Sequence, residues 1–203
     1  MSENNLPNLI QQMMSPEFYP HPVTEPIQLL QTHISYVLLT GDYAYKIKKN
    51  VNFGFLNYSS LELRKNFCDE EFRMNKRGAP EIYLEVLPIS QIEDKFQING
   101  AGETVEYTLK MRQFPQDTLF LSLFEQGKLT ETIMEDLGEI VAEFHAQAPI
   151  NDYIRTFGEV AQIRQAIDEN YQQTEKYIGG PQTSEQFAET KACLLYTSPS
   201  PRD

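Results

Sequence analysis

The sequence predicts an α+β fold: a small antiparallel sheet with one helix, followed by the beginning of a helical lobe. Three observations predict it. An apolar run over 35–40 meets an alternating run over 43–49 across Gly41-Asp42. Residues 105–114 alternate, with Val105, Tyr107, Leu109 and Met111 on one face and Glu106, Thr108, Lys110 and Arg112 on the other. Beyond Pro115 the pattern is helical only.

Taken in order, residues 1–30 are polar and punctuated by Pro7, Pro16, Pro20, Pro22 and Pro26. Residues 6–14 suit a short helix, and 26–31 another with Pro26 near its first turn. Gly41-Asp42 suits a two-residue hairpin turn with Gly first. A loop over 50–58 carries Phe53 and Phe55 as aromatic anchors. Ser59 with Glu62 reads as a capping box opening a helix that runs to Arg77, where Gly78-Ala79-Pro80 ends it. Residues 82–89 and 92–98 read as strands, with a turn over 99–102. Residues 119–126, 130–146 and 159–177 read as helices. The second carries Ile133, Leu137, Ile140, Val141 and Phe144 on one stripe. The domain plan is an arm over 1–31, a small lobe over 32–115, the start of an incomplete helical lobe over 116–192, and a separate tail over 193–203.

That tail, CLLYTSPSPRD, resembles the in-frame translation of a sequencing-library transposon adapter; the alternative is a natural Ser/Pro-rich tail. On the adapter reading, native sequence ends near Ala192, and the chain is expected to be the front part of a longer protein.

The 203 residues are 40% hydrophobic and 23% charged, an ordinary globular composition. Lys plus Arg number 17 and Asp plus Glu 29, a net charge of −12. That excess of acid argues against nucleic-acid coating and against docking to anionic membranes, so neither partner is expected. It leaves room for a local basic cluster facing a small anion. No stretch approaches the ~18 apolar residues of a membrane span, and the start shows no signal peptide. Two cysteines make neither a disulfide framework nor a metal knuckle, and a reduced, cytoplasmic protein is expected.

The chemistry concentrates on Tyr43-Ala44-Tyr45-Lys46. Strand periodicity puts Ala44, Lys46 and Lys48 on one face. A small residue two positions before a lysine leaves room for a flat ring, with the lysine beyond it to meet phosphate oxygens. The spacing is that of the kinase V-A-I-K signature. The competing reading is an exposed basic strand face, with Lys48 and Lys49 as a solvated strand end. On the following helix, Leu63, Phe67 and Met74 define an inward stripe, flanked within about 60° by Glu70 and Glu71. A carboxylate there needs a partner, because an isolated buried charge is costly. A lysine on the neighbouring strand is the candidate, and periodicity does not choose between the two glutamates.

The runs THISYVLLTGDYAYKIKKNVNFGFL, FCDEEFRMNKRGAPEIYLEVLPI and EYTLKMRQFPQD together resemble one family. It is the amino-terminal aminoglycoside-phosphotransferase-like (protein-kinase-like) domain of bacterial proteins, many of them fused to a P-loop ATPase or kinase domain. The resemblance covers roughly residues 32–149. It implies a kinase-like small lobe in which Lys46 orients the phosphates of ATP and Ala44 sits over the adenine. It makes Glu71 the helix partner of Lys46, with Lys48 as a second basic contact. Residues 110–114, with Met111 and Gln113, become the edge segment whose backbone meets the base, and Phe144-His145-Ala146 the end of the first long helix of the second lobe.

The departures are informative. No G-x-G-x-x-G precedes the hairpin, so residues 27–35 stand where a glycine-rich flap would be. No His-Gly-Asp catalytic loop occurs, so no catalytic residue is assigned and no metal ligand is named. His21 reads as loop, His33 opens a strand, and His145 caps a helix end. Lys110 and Arg112 read as surface charge, and Cys68 as packing. The expectation is a fragment of an ATP-dependent phosphotransferase. It would carry the nucleotide-binding lobe, with Mg²⁺, a small hydroxyl-bearing acceptor and a fused P-loop domain belonging to the parent. The alternative is a non-catalytic nucleotide-sensing module that regulates such a domain.

Overall fold

The computed structural model describes residues 6–197. Its contacts divide the chain into two units, Met1–Gly138 and Glu139–Asp203. The first is mixed α+β. It holds α1 (Asn8–Gln12), β1 (Gln28–Gln31), β2 (Ser35–Leu39), β3 (Tyr43–Lys48), α2 (Leu61–Asn75), β4 (Tyr83–Ile92), β5 (Lys95–Ile98), β6 (Glu103–Arg112) and α3 (Phe120–Glu125). The helix α4 (Glu131–Ala146) runs across the boundary, and α5 (Asp152–Thr156), α6 (Val160–Thr174) and α7 (Ser184–Thr197) follow. The expected tail begins inside α7, and residues 198–203 lie outside the described residues.

The six strands form one antiparallel sheet in the order β1-β2-β3-β6-β4-β5. The β2–β3 hairpin closes as its turn residues require: Thr40 N–H donates to the Tyr43 carbonyl at 2.9 Å, and Gly41 takes φ +104°. A Cβ there would also meet the Thr24 side chain at 2.3 Å.

Residues 26–31 are a correction. They form no helix: 28–31 are the edge strand β1, paired in register from Gln28–Leu39 to Gln31–Tyr36. Pairing with the apolar β2 overrides the weak local helix signal. The strands expected over 82–89 and 92–98 are β4 and β5, turning at Glu93, which takes φ +51°. The cap of α2 lies one residue later than expected, where the Ser60 hydroxyl accepts from Leu63 N–H at 3.2 Å.

The two faces of the sheet are covered by different chemistry. On one face, Leu38, Tyr45, Ile47, Leu87, Ile89 and Ile98 pack with Ile10, Met13 and Tyr19 from the N-terminal arm. Gln12 pins that arm to the β4–β5 turn: its Nε2 donates to the Asp94 carbonyl at 2.6 Å and its Oε1 accepts from Phe96 N–H at 3.1 Å. His21 lies in a loop, as expected, and there stacks on Tyr45 (5.9 Å between centroids, 7° between planes), with its Nε2 hydrogen-bonded to the Tyr45 hydroxyl at 2.9 Å.

The other face carries α2, which packs on β6 and β4. Its buried residues are Arg64 and Cys68, with the half-buried Glu71 further along the same face. The expected stripe of Leu63, Phe67 and Met74 is therefore not the inward one; Phe67 and Met74 are exposed. The sheet face beneath carries Lys46 and Lys48 beside the buried Leu109, and Glu106 of β6 also reaches the helix, so α2 turns Arg64 and Glu71 toward it. Phe53 and Phe55 are likewise exposed and anchor nothing, whereas Tyr58 is buried. The apolar stripe of α4 exists, yet no residue of α4 is buried.

Arg64 fixes the near end of α2. Its Nε bonds both Glu106 carboxylate oxygens at 2.9 and 2.8 Å, and its Nη1 donates to the Tyr58 carbonyl at 3.0 Å. Both side chains are nearly covered, at 10% and 12% exposure. Arg64→Ala strands the Glu106 charge and is expected to cost about 3–5 kcal/mol of unfolding free energy. Arg73→Ala, which removes the solvent-exposed pair with Glu70, should leave stability unchanged. Urea denaturation of both variants checks this, and equal midpoints would contradict it.

Candidate functional site

Two cross-strand rows build the floor of a cleft. Leu39 pairs with Ala44 and Ala44 with Met111; beside them Leu30 pairs with Val37, Val37 with Lys46 and Lys46 with Leu109. Because side chains on one face recur every second residue, Ala44, Lys46 and Met111 converge with Leu30, Val37 and Leu39. Ile82, Arg112, Gln113, Phe114 and Gln116 complete the lining of a cleft of about 230 Å³, so Arg112, read as surface charge, is a second cation on its wall. A larger hollow of about 590 Å³ lies between the arm and the β4–β5 hairpin, and none of the sequence-predicted site residues lines it.

Lys46 sits at the charged end of the cleft. Its Nζ lies 2.6 Å from Glu71 Oε1, and Lys48 Nζ lies 2.6 Å from Glu71 Oε2. One carboxylate is thus shared by two ammonium groups. Glu71 stands 25 residues from Lys46 in sequence and is brought to it by the packing of α2. Glu70 points elsewhere, pairing with Arg73 on the exposed side of the helix. The choice that periodicity left open between Glu70 and Glu71 falls on Glu71.

Lys48 is not a solvated strand end. It is 4% exposed, and its ammonium lies 4.9 Å from the centre of the Tyr58 ring. Burial works against the charged form of both Glu71 and Lys48. The hydrogen bonds between them, and that from Lys46 to Glu71, outweigh it: Glu71 is held below the ordinary carboxylate value and Lys48 above the ordinary lysine value. Cys68 lies nearby, and burial pushes its thiol up to about 11, which keeps it protonated and unreactive.

Gln113 lines the cleft and also holds the β2–β3 turn. Its backbone N–H donates to the Asp42 carbonyl at 2.9 Å, and its Oε1 accepts from Gly41 N–H at 3.0 Å. Met111 lines the cleft from the β6 ladder. Lys110, read as surface charge, pairs with Glu85 at 3.2 Å and lies over the Tyr43 ring at 4.4 Å. Residues 27–35, expected in place of a glycine-rich flap, comprise strand β1 and a tight turn over 32–34 in which Thr32 Oγ1 accepts from Ser35 N–H at 3.0 Å. Lys49 ties that turn down through the Thr32 carbonyl at 2.7 Å.

The sequence reading missed Leu30, Val37, Leu39, Ile82 and Tyr58. Val37 and Leu39 were detectable in principle, since they fall on the Ala44 face once the hairpin register is known, whereas Leu30 sits on β1, which the sequence read as helix. Ile82 and Tyr58 arrive through loop paths that no periodicity encodes. Among the described residues no group of three His, Cys, Asp or Glu side chains could hold a metal ion, and no helix is long and apolar enough to cross a membrane.

An uncharacterized protein of Mycobacterium bovis and uncharacterized proteins of two Mycobacterium tuberculosis strains are each 33% identical to the chain over 152 residues. The match covers 74% of this chain and 29% of each relative, so the chain spans under a third of their length. No protein-family model matches. No solved structure matches.

The shifts at Glu71 and Lys48 set the pH window of the cluster. Glu71 is depressed, so its contribution to stability is complete above the ordinary glutamate value near ~4.3 and fades as pH falls through the lower folded value. Lys48 is raised, so its contribution is complete below ~10.4 and fades as pH rises through the higher folded value. Glu71→Gln should therefore be less stable than wild type at neutral pH, with the gap narrowing as pH falls through the acid range. Urea midpoints across pH measure this, and a gap independent of pH would contradict it.

Proposed function

We propose that the chain carries the nucleotide-binding lobe of a kinase-like, ATP-dependent phosphotransferase resembling the aminoglycoside phosphotransferases. One observation carries the reading: an ion-paired lysine, Lys46, stands at the end of an apolar cleft floored by Ala44 and Met111. The V-A-I-K spacing supports it, since a phosphate-pairing lysine held by a helix glutamate has that geometry.

The size of the cleft fits part of a nucleotide. At about 230 Å³ it is smaller than the ~300–1,000 Å³ pockets that enclose whole ligands. The base enters between Ala44 and the Val37, Leu39 and Met111 side chains, and the phosphates remain outside at Lys46. Apolar contact on the ring and charge on the tail is the usual division in such sites.

Phosphoryl transfer also needs a group to position the hydroxyl and ligands for Mg²⁺. The described residues show no metal-ligating group of three, so the reading assigns nucleotide binding to this chain. The acceptor, a small hydroxyl-bearing molecule, and Mg²⁺ coordination belong to the longer protein, with a fused P-loop domain as its further partner.

A ligand that binds the folded state at 100 times its Kd adds about 2.7 kcal/mol of stability. ATP is therefore expected to raise the thermal midpoint of the wild-type chain by several degrees. The shift should vanish in Lys46→Ala while the melt itself stays cooperative. Equal shifts in wild type and variant would refute the assignment of Lys46.

A further inference from the structure

Glu71 offers its two oxygens to two lysines in unlike surroundings. Lys46 is 27% exposed and lines the cleft; Lys48 is 4% exposed and does not. Both distances are 2.6 Å. A phosphate group arriving at the cleft must compete with Glu71 for the Lys46 ammonium. With a single lysine, that competition would strand a carboxylate only 17% exposed without a counter-charge, a costly state.

Lys48 removes that penalty. It cannot follow the ligand, because it is covered and lies against the Tyr58 ring. When Lys46 turns toward phosphate, Glu71 retains a charged hydrogen-bond partner on its other oxygen. Resting on the nucleotide reading above, we infer that Lys48 is a positioning residue. It neutralises Glu71 from behind and thereby frees Lys46 for the phosphate tail of a nucleoside triphosphate. In the same geometry the cluster of two lysines and one carboxylate carries a net charge of +1, so the cleft stays attractive to an anion while its internal pairing is complete.

The test is calorimetric titration of ATP, and separately of adenosine, into the full chain and four variants. Lys48→Met leaves Glu71 dependent on Lys46 and is expected to weaken ATP binding about tenfold, the scale of one charged hydrogen bond. Adenosine binding should not change. Lys48→Arg should stay close to wild type. In Glu71→Gln the carboxylate that Lys48 neutralises is gone, so the double variant Lys48→Met/Glu71→Gln should bind ATP no more weakly than Glu71→Gln does. That comparison decides the matter if Lys48→Met alone fails to fold.

A role confined to packing would affect adenosine and ATP alike, or would weaken the double variant against Glu71→Gln; either result overturns the inference. So does wild-type-like ATP binding by Lys48→Met. In those cases the nucleotide reading stands, whereas a wild-type chain that binds neither ligand removes that reading and the role of Lys48 with it.

Discussion

The structure of the first unit depends on a carboxylate being held between two ammonium groups. Glu71 can occupy a half-buried position on α2 only because Lys46 and Lys48 meet it, and the two lysines can share a strand face only because a carboxylate stands between them. Like charges two residues apart on one face repel, and burial makes the repulsion worse. The mutual dependence explains why α2 does not approach the sheet with an apolar stripe. Its inward residues are Arg64, Cys68 and Glu71, and Arg64 meets Glu106 of β6 as Glu71 meets β3. Two ion pairs about two turns apart along the helix fix its rotation and its position along the sheet. Buried pairs add little net stability for the desolvation they require, but they penalise any slip in register, because a slip leaves charges unpaired.

A helix interface of that kind leaves the hydrophobic burden to the opposite face. There the N-terminal arm packs Ile10, Met13 and Tyr19 against Leu38, Tyr45, Ile47 and Ile89. Tyr45 shows how the two faces are coupled. It belongs to the apolar core, and burial raises its phenol well above the ordinary value, while its neighbours Ala44 and Lys46 belong to the cleft. Strand alternation converts one six-residue segment into both a core element and a site element. Any movement of β3 that relaxed the core would also displace the lysine.

Much of this was legible in the sequence where the signal was local. The hairpin at Gly41-Asp42 and the strand β6 depend on turn chemistry and a period of two, and both form. The pairing of Lys46 with Glu71 was legible to within one residue, because a flank carboxylate requires a partner. What failed depended on tertiary context. Residues 28–31 became a strand because β2 offered an unpaired edge. Phe67 and Met74 looked inward by apolarity, but the face opposite was charged. For Lys48 the sequence offered both a second basic contact and a solvated strand end, and only the arrival of Tyr58 and Glu71 over it, from a loop and a helix, excludes the solvated one. Gln113 has a second task that no periodicity encodes: its Oε1 and backbone N–H brace the turn at Gly41 and Asp42.

The charge distribution gives the cluster a local sign that composition alone conceals. A chain with net charge −12 repels extended polyanions at distances beyond a Debye length of about 8 Å. At one end of the cleft Lys46 shares one carboxylate with the covered Lys48 behind it, Arg112 adds a further cation to the lining, and much of the remaining wall is apolar, so the local sign is reversed over a short range. The chain as a whole is therefore acidic while the end of the cleft is locally basic, and the two lysines reach that balance only through the carboxylate they share.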